Sequence, residues 1–217
     1  MKILCVGYRE WALEIYDELA KKSDNVFLIL RSKSQFSEGI LNDFKPDLVL
    51  FYGWSWIIPA QILENYKCLM LHPSPLPKYR GGSPIQNQII AGEKKSMVSI
   101  FVMTNELDAG DILVQKEISF EGKLSDIFRS IVETGISSTL EILENDIRAI
   151  KQDDSQATYC KRRKPEDSEI TIDEIKSASA EYLYNKIRML ADPYPNAYIR
   201  TADGKKLFLK ESEISED

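Results

Sequence analysis

The sequence predicts an α/β protein: a Rossmann-like, mostly parallel sheet with helices on both faces, followed by a small C-terminal α+β appendage. Short, nearly continuous apolar runs alternate with helical patterns over residues 2–73, which is typical of parallel strands buried on both faces and joined by crossover helices. Hydrophobic residues make up 43% of the 217 residues, enough for a large core. We therefore expect a main domain over residues 1–150 and a small subdomain, a helix plus a hairpin, over residues 151–217.

Four strands and three helices are predicted in the N-terminal part of the chain. Within residues 11–21, four apolar residues fall on one helical face at i, i+3, i+4 and i+7 spacing. Gly53 closes the third apolar run and Pro59 opens a helix, as these residue types do at element ends. The predicted strands are KILCVG (2–7), VFLILR (26–31), DLVLFYG (47–53) and CLMLHP (68–73), with helices over about 11–21, ending near 44, and over 59–66.

From about residue 97 the pattern changes to two adjacent strand-like runs, MVSIFVM and DILVQKEISF, separated by the turn ELDAGD. One long helix is predicted within residues 125–151 and another over about 175–191. AYIR and KLFLK flank the turn TADGK, whose Asp-Gly pair indicates a β-hairpin.

Composition excludes several functional classes. The formal net charge of −6 argues against a nucleic-acid partner, because proteins that grip a nucleic-acid backbone usually carry a basic face. No apolar window reaches about 18 residues, and the N-terminal run has no small-residue cleavage site after it. Cys5, Cys68 and Cys160 are odd in number and far apart, unlike a disulfide framework or a zinc site. These features predict a cytoplasmic protein with no metal, no membrane contact and no nucleic-acid partner.

Four segments follow predicted strands directly: residues 7–9, 52–54, 72–74 and 108–110. They should converge, because ligands bind an open parallel sheet at the carboxyl ends of its strands. His72 is the only histidine of the chain and is followed by a proline-rich turn, while Asp108 comes from a separate turn. A strand-end histidine and a carboxylate facing one crevice predict an acid–base pair.

The segments HPSPLPKYRGGSPIQ (72–86) and LDAGDIL (107–113) resemble the signature of folate-dependent formyltransferases, a family that includes the methionyl-tRNA, sugar-nucleotide and, more distantly, glycinamide ribonucleotide enzymes. FYGWSWIIP (51–59) resembles the segment that walls the folate pocket. RRKPEDSEI (162–170) and IRMLADPYPNAY (187–198) resemble the C-terminal part shared by the tRNA and sugar enzymes. The resemblance covers nearly the whole chain and is carried by His72, Ser74, Leu76, Pro77, Arg80, Gly81, Asp108, Gly110 and Asp111.

The resemblance implies transfer of a formyl group from N10-formyltetrahydrofolate to a primary amine, without a metal. His72 would stabilise the oxyanion, and Asp108 would orient His72 and accept a proton from the amine. The family places an Asn two positions before the His, where this chain has Met70. Either Gln86 or Asn87 supplies the missing amide, or activity is reduced or lost.

The resemblance also implies two sets of binding residues. The apolar segment after the third strand and the turn around Asp108 would bind the folate, while strand-end and loop residues would bind the acceptor. The predicted cofactor-binding residues are Tyr52, Gly53, Trp56, Ile57, Ile58, Leu107, Asp108 and Asp111. The predicted substrate-binding residues are Tyr8, Arg9, Trp54, Ser74, Lys78, Tyr79, Arg80, Gly81 and Tyr194.

The acceptor is predicted to be a nucleotide-linked amino sugar of surface polysaccharide or flagellin glycan synthesis. The acidic charge and the length of the chain favour it over initiator tRNA, and the segment after the first strand lacks the phosphate loop of the glycinamide ribonucleotide enzymes. Two alternatives stay open: an aminoacyl group on tRNA or a carrier protein, and a folate- or nucleotide-binding protein that has lost catalysis. The run KRRK (161–164) is interpreted as pairing with the acids that follow it, and a contribution to binding the nucleotide stays open. The protein is expected to be a monomer or homodimer.

Overall fold

A computed structural model describes residues 1–215; residues 216 and 217, the end of the predicted C-terminal subdomain, lie outside the described part. The strands are β1 (Lys2–Val6), β2 (Val26–Leu30), β3 (Leu48–Tyr52), β4 (Cys68–His72), β5 (Arg80–Gly81), β6 (Lys95–Val102), β7 (Ile112–Ser119), β8 (Tyr159–Cys160), β9 (Ala197–Arg200) and β10 (Lys206–Leu209). The helices are α1 (Glu10–Lys22), α2 (Glu38–Phe44), α3 (Ala60–Asn65), α4 (Pro84–Ile90), α5 (Leu124–Glu144), α6 (Ile172–Ser177) and α7 (Ala180–Met189).

The central sheet has six strands in the order β2-β1-β3-β4-β6-β7. The first four are parallel, and β6 and β7 continue the sheet in antiparallel orientation. Helices cover both faces, so the predicted fold class, a Rossmann-like and mostly parallel sheet, is confirmed. The predicted C-terminal hairpin is present as the antiparallel pair of β9 and β10.

The strands read as continuous apolar runs because both faces of the sheet are buried. In β3, Val49 and Phe51 belong to one hydrophobic cluster and Leu50 and Tyr52 to the other. The first cluster is completed by α2 and α3, and the second by α1 and α5. Gly135 lets α5 approach both α1 and the sheet, since an added Cβ would lie 2.6 Å from Cδ1 of Ile15 in α1 and 3.0 Å from Cδ1 of Leu71 in β4.

Two predicted helices differ from the structure. The long helix ends at Glu144 rather than continuing to residue 151. The helix predicted over 175–191 is divided into α6 and α7, because Ser179 caps α7 by accepting a hydrogen bond from the Tyr182 N–H at 3.2 Å. A Ser in an extended conformation competes with continued helix and starts a new one.

The segment after α5 returns to the main sheet before it enters the C-terminal part. The backbone of Ile150 exchanges two hydrogen bonds of 2.8 Å with Ile112 at the start of β7. Further on, β8 pairs in parallel with β5, next to the end of β4. The division of the chain at residue 150 therefore stays a prediction, and hydrogen bonds cross it. Within residues 1–215, no helix combines the length and apolar character needed to span a bilayer.

Candidate functional site

One cavity of about 930 Å³ lies at the carboxyl ends of the central strands. It is bordered by residues from all four of the strand-end segments singled out in the sequence: Arg9 after β1, Gly53 after β3, His72 at the end of β4 and Asp108 in the turn between β6 and β7. A concave space of this size at the switch point of an α/β sheet is the usual position of a small-molecule site.

The His72 and Asp108 side chains face each other at the wall of this cavity. The distance from His72 Nδ1 to Asp108 Oδ2 is 3.6 Å, and both side chains are buried. His72 Nε2 lies 2.9 Å from the carbonyl oxygen of Tyr79 and donates to it, which leaves Nδ1 facing the carboxylate. Asp108 Oδ2 also accepts a hydrogen bond of 2.7 Å from the Gly81 N–H. The pair can hold a proton at Nδ1 and stabilise an imidazolium through the adjacent negative charge.

Three non-glycine residues around the cavity have a left-handed backbone. Their φ angles are +60° at Tyr79, +53° at Ser83 and +50° at Asp108. Each such residue costs on the order of 1 kcal/mol or more, and persists only where the surrounding contacts require it. The strain is concentrated in the turns that place the buried pair.

The two amides predicted to replace the family Asn lie in different surroundings. Gln86 is buried and lines the cavity, as does Met70 on β4. Asn87 does not line it, and its Nδ2 donates to the carbonyl oxygens of Gly82 and Lys161, both at 3.1 Å. Of the two amides, only the Gln86 side chain borders the cavity that contains His72.

Tyr194 also borders the cavity and interacts with the Gln86 amide. Burial raises the pKa of the Tyr194 phenol to about 12. The positive charge of Arg9 and a hydrogen bond with Gln86 act in the opposite direction but do not outweigh burial. The Arg9 guanidinium lies 4.8 Å from the ring centroid of Tyr8 and 6.0 Å from that of Tyr194. Tyr194 is thus a neutral hydroxyl at physiological pH, and Arg9 is held by aromatic faces rather than by a carboxylate.

The predicted cofactor residues divide into cavity wall and support. Two of the wall residues form an apolar rim, since Ile57 is 98% and Leu107 61% exposed. Tyr52 is completely buried behind the wall, with its hydroxyl 3.0 Å from Thr139 Oγ1, and Asp111 lies at the surface before β7. The cofactor residues that line the cavity are Gly53, Trp56, Ile57, Ile58, Leu107 and Asp108.

Only part of the predicted substrate set reaches the cavity. Arg80 is 2% exposed, and its guanidinium is bound by Gln152, Asp154 and Tyr159. It therefore supports the loop and does not face the cavity. The substrate residues that line the cavity are Arg9, Trp54, Gly81 and Tyr194; those that do not are Tyr8, Ser74, Lys78, Tyr79 and Arg80.

Three cations of the KRRK run line the cavity, although the sequence indicated that they pair with the acids after them. The pairing of β5 with β8 carries Arg162, Arg163 and Lys164 to this position, and Gly82 packs against them, since an added Cβ would lie 2.5 Å from the Cα of Arg162. Asp167 accepts from the backbone N–H of Lys164 at 2.7 Å instead. Within residues 1–215, none of the three cations forms an ion pair.

A Rossmann-like sheet with a buried His–Asp pair in a cavity at its strand ends defines an α/β protein that binds its ligand at the switch point. Comparison with known proteins defines its family. The family model described as Formyl transferase matches residues 5–126, more than half of the chain. The model described as the C-terminal domain of methionyl-tRNA formyltransferase matches residues 165–217. The chain belongs to the formyl transferase family, so the family membership inferred from the sequence is confirmed.

Among the relatives, a methionyl-tRNA formyltransferase of Campylobacter lari is 38% identical over 176 residues, covering 78% of this chain and 56% of the relative. That of Sulfurimonas denitrificans is 34% identical over 191 residues, covering 85% and 61%. The structure of a methionyl-tRNA formyltransferase from Clostridium thermocellum matches with a TM-score of 0.85 at 30% identity, covering 96% of each chain. The chain spans roughly three fifths of the length of the first two relatives.

These comparisons correct two predictions. The nucleotide-linked amino sugar as acceptor is wrong, because the relatives at 31–38% identity are methionyl-tRNA formyltransferases. The exclusion of a nucleic-acid partner is wrong for the same reason. The exclusion of a nucleic-acid partner rested on the net charge of −6 and on chain length. Net charge does not describe where charges lie, and the structure gathers Arg9 and residues 162–164 at one cavity.

Proposed function

We propose that this chain transfers a formyl group from N10-formyltetrahydrofolate to the amino group of an aminoacyl-tRNA, with methionyl-tRNA as the first candidate acceptor. The single observation that carries the proposal is the His72–Asp108 pair, buried in a cavity whose rim holds cations that have no carboxylate partner among residues 1–215. The relatives named above support the acceptor, and membership of the formyl transferase family supports the reaction. The predicted cytoplasmic location agrees with a tRNA acceptor and remains a prediction.

The reaction requires charge stabilisation and one proton transfer. The acceptor amine attacks the formyl carbon, a new C–N bond forms, and an oxyanion develops on the formyl oxygen. An imidazolium at His72 stabilises that oxyanion, and the Asp108 carboxylate stabilises the imidazolium. Collapse of the intermediate breaks the bond from carbon to N10. The proton lost by the amine passes through Asp108, directly or through water, and is returned to N10 of the departing tetrahydrofolate.

Gln86 is our candidate for the amide that the family supplies from the position of Met70. It is buried and borders the same cavity as His72 and Tyr194. The Met70 side chain has no N–H to offer, so the amide donor must come from another residue of the cavity. An amide N–H aimed at a developing oxyanion is typically worth about 10²–10³ in rate.

The folate would occupy the apolar part of the cavity. Trp56, Ile57, Ile58 and Leu107 present apolar surface there, and Gly53 brings backbone groups close to the ligand. Pockets of this kind hold a flat ring system by apolar walls and a few backbone hydrogen bonds. The exposed side chains of the rim would be covered when the ligand binds.

The acceptor would approach from the side that carries the cations. Arg9, Arg162 and Lys164 border the cavity and lack carboxylate partners within residues 1–215. Unpaired arginines at such a position suit the phosphates of a tRNA acceptor end, to which a guanidinium binds with two hydrogen bonds. The amino acid at the end of the acceptor would then reach His72.

The test is a formylation assay with N10-formyltetrahydrofolate and, in parallel, methionyl-tRNA or UDP-linked amino sugars, with mass detection of the product. We expect formyl-methionyl-tRNA, and we expect His72→Asn and Asp108→Asn to lower kcat by at least about 100-fold without changing the Tm greatly. No product from methionyl-tRNA, or full activity in either variant, would refute the proposal. Tetrahydrofolate binding without turnover would instead indicate a binding protein that has lost catalysis.

A further inference from the structure

We propose that Gln152 is a positioning residue that fixes the Asp108 turn against the loop that follows His72, an inference that rests on the proposed function. Gln152 was not among the functional residues predicted from the sequence. It lies in the segment after α5, far along the chain from both members of the pair. Its side chain touches neither the cavity nor the reacting atoms, so it acts through the residues it holds.

Every hydrogen-bonding group of the Gln152 amide is in use. Nε2 donates to the carbonyl oxygens of Asp108 at 2.9 Å and of Gly110 at 2.7 Å. Oε1 accepts from Arg80 Nε at 3.2 Å and from Arg80 Nη2 at 2.8 Å. Gln152 is 5% exposed and Arg80 2% exposed, so water does not compete for these bonds.

These bonds close a ring through the site. Arg80 precedes Gly81, whose N–H donates to the Asp108 carboxylate at 2.7 Å, and Gln152 joins Arg80 back to the Asp108 backbone. The ring holds both the backbone and the side chain of the catalytic carboxylate. The pair of backbone bonds between Ile112 and Ile150 brings the chain that carries Gln152 beside the turn.

The Asp108 turn needs such a restraint because it is strained. A left-handed aspartate is unfavourable by roughly 1 kcal/mol or more and would relax to a common conformation if released. Relaxation would rotate the carboxylate away from Nδ1 of His72, which it faces at 3.6 Å. Misplacement of a catalytic group by about 1 Å can lower the rate about 100-fold.

Gln152→Glu separates the two halves of this contact. The carboxylate keeps the size of the side chain and still accepts from the Arg80 guanidinium, but it has lost both donors to the carbonyl oxygens of the turn. Asp154→Asn is the matched control for Arg80, because its exposed side chain retains an oxygen that accepts from Nη2. Asn185→Ala is the control for loss of a buried amide elsewhere, since Asn185 binds Arg188 at 2.8 Å outside the site.

The experiment combines kinetics with NMR of the untagged chain, in which His72 gives the only histidine signals. We expect Gln152→Glu to lower kcat about 10- to 100-fold with little change in either KM, and to shift the His72 imidazole signals. Both controls should leave the imidazole signals in place and kcat within about twofold of the parent. If Gln152→Glu fails to fold, Gln152→Asn, too short to span both partners, takes its place.

The outcomes separate this inference from the proposed function. Unmoved His72 signals with unchanged kcat in a folded Gln152 variant would overturn the positioning role while leaving the formyl transfer intact. Shifted His72 signals in the Gln152 variant alone would support the positioning role even if the parent chain transfers no formyl group. A lowered Tm with the parent kcat and parent signals would make Gln152 a structural residue only and would also overturn the proposal.

Discussion

At the scale of single residues, Met70 is the position where this chain departs from the family pattern. It stands on β4 two residues before His72 and borders the same cavity. If Gln86 supplies the missing amide, Gln86→Leu should lower kcat about 10²–10³-fold, and adding Met70→Asn to that variant should restore much of it. Steady-state kinetics with methionyl-tRNA measure both effects. Equal activity of Gln86→Leu and the parent would assign the amide role elsewhere, and Asn87→Ala would then test the other amide.

Gly110 tests the packing under the Asp108 turn. A Cβ at this position would lie 1.6 Å from the carbonyl oxygen of Val102, which is backbone and has no room to move. Gly110→Ala should therefore lower the free energy of unfolding by about 3 kcal/mol or more, measured by urea denaturation. Gly39→Ala, in α2, is the matched control. A Cβ added at Gly39 would lie 3.7 Å from its nearest neighbour, Ser37 Oγ, so this change should be neutral or slightly stabilising. Similar losses in both variants would contradict this explanation.

The residues of the site were easier to predict than the orientations of their side chains. The sequence resemblance singled out His72 and Asp108, and the structure brings them together. The same resemblance singled out Arg80, which the structure buries among Gln152 and Asp154. A sequence motif states which residues occur at a position, whereas the direction of an arginine side chain depends on partners about 70 residues away. The role of Gln152 carries no local sequence signal at all.

At the scale of elements, a buried ion pair joins α6 to α7. Lys186 Nζ lies 2.7 Å from Glu174 Oε1, and the lysine side chain is 6% exposed. Burial acts to raise the pKa of Glu174, but hydrogen bonds from Lys186 and Tyr182 outweigh it, so that the pKa is lowered. A carboxylate whose pKa is lower in the folded state stabilises the fold above its unfolded pKa and loses that contribution as pH falls through the folded value.

Glu174→Gln should therefore destabilise the protein by about 3 kcal/mol near neutral pH, because it leaves a buried ammonium without its counter-ion. The difference from the parent should begin to shrink as the pH falls below about 4.5, the ordinary pKa of a glutamate, and should disappear once the pH passes the lower pKa of the folded carboxylate. Urea denaturation over a pH series measures this. Glu117→Gln is the control, since Glu117 meets Lys95 at the same distance of 2.7 Å but in an exposed pair. A difference that does not depend on pH would contradict the assignment.

Most elements could be predicted because hydrophobic periodicity specifies them. The apolar runs of β1 to β4 and the amphipathic face of α1 needed no tertiary information. β5 and β8 could not be predicted, since each has two residues and is defined only by its pairing with the other. A two-residue strand has no period to detect. Because the pairing of β5 with β8 could not be predicted, the position of residues 162–164 at the cavity could not be predicted either.

At the scale of the whole molecule, the distribution of charge matters more than its sum. The chain has a net charge of −6, yet the cavity rim carries Arg162 and Lys164 as exposed cations. If they bind tRNA phosphates, Arg162→Ala and Lys164→Ala should each weaken tRNA binding and reduce the slope of log K against log salt by about one. Filter binding at several salt concentrations measures both quantities.

Lys21→Ala is the control for this prediction. Lys21 is an exposed cation at the end of α1, already paired with Glu18 at 2.7 Å. Its removal should leave the tRNA affinity and the salt slope unchanged, and tetrahydrofolate binding should be unchanged in all three variants. A salt slope that is the same in the parent and in Arg162→Ala would place the tRNA on another surface.

The return of the chain to the main sheet after α5 has a consequence for how this protein can be changed. One short segment, residues 150–164, holds the Asp108 turn at one end and carries cations of the cavity rim at the other. Exchanging this segment with that of a relative would alter chemistry and recognition in a single step. Attempts to give the enzyme a new acceptor by transplanting its C-terminal part should therefore place the junction between Gln152 and Arg162, so that the turn keeps its support and the cations are exchanged.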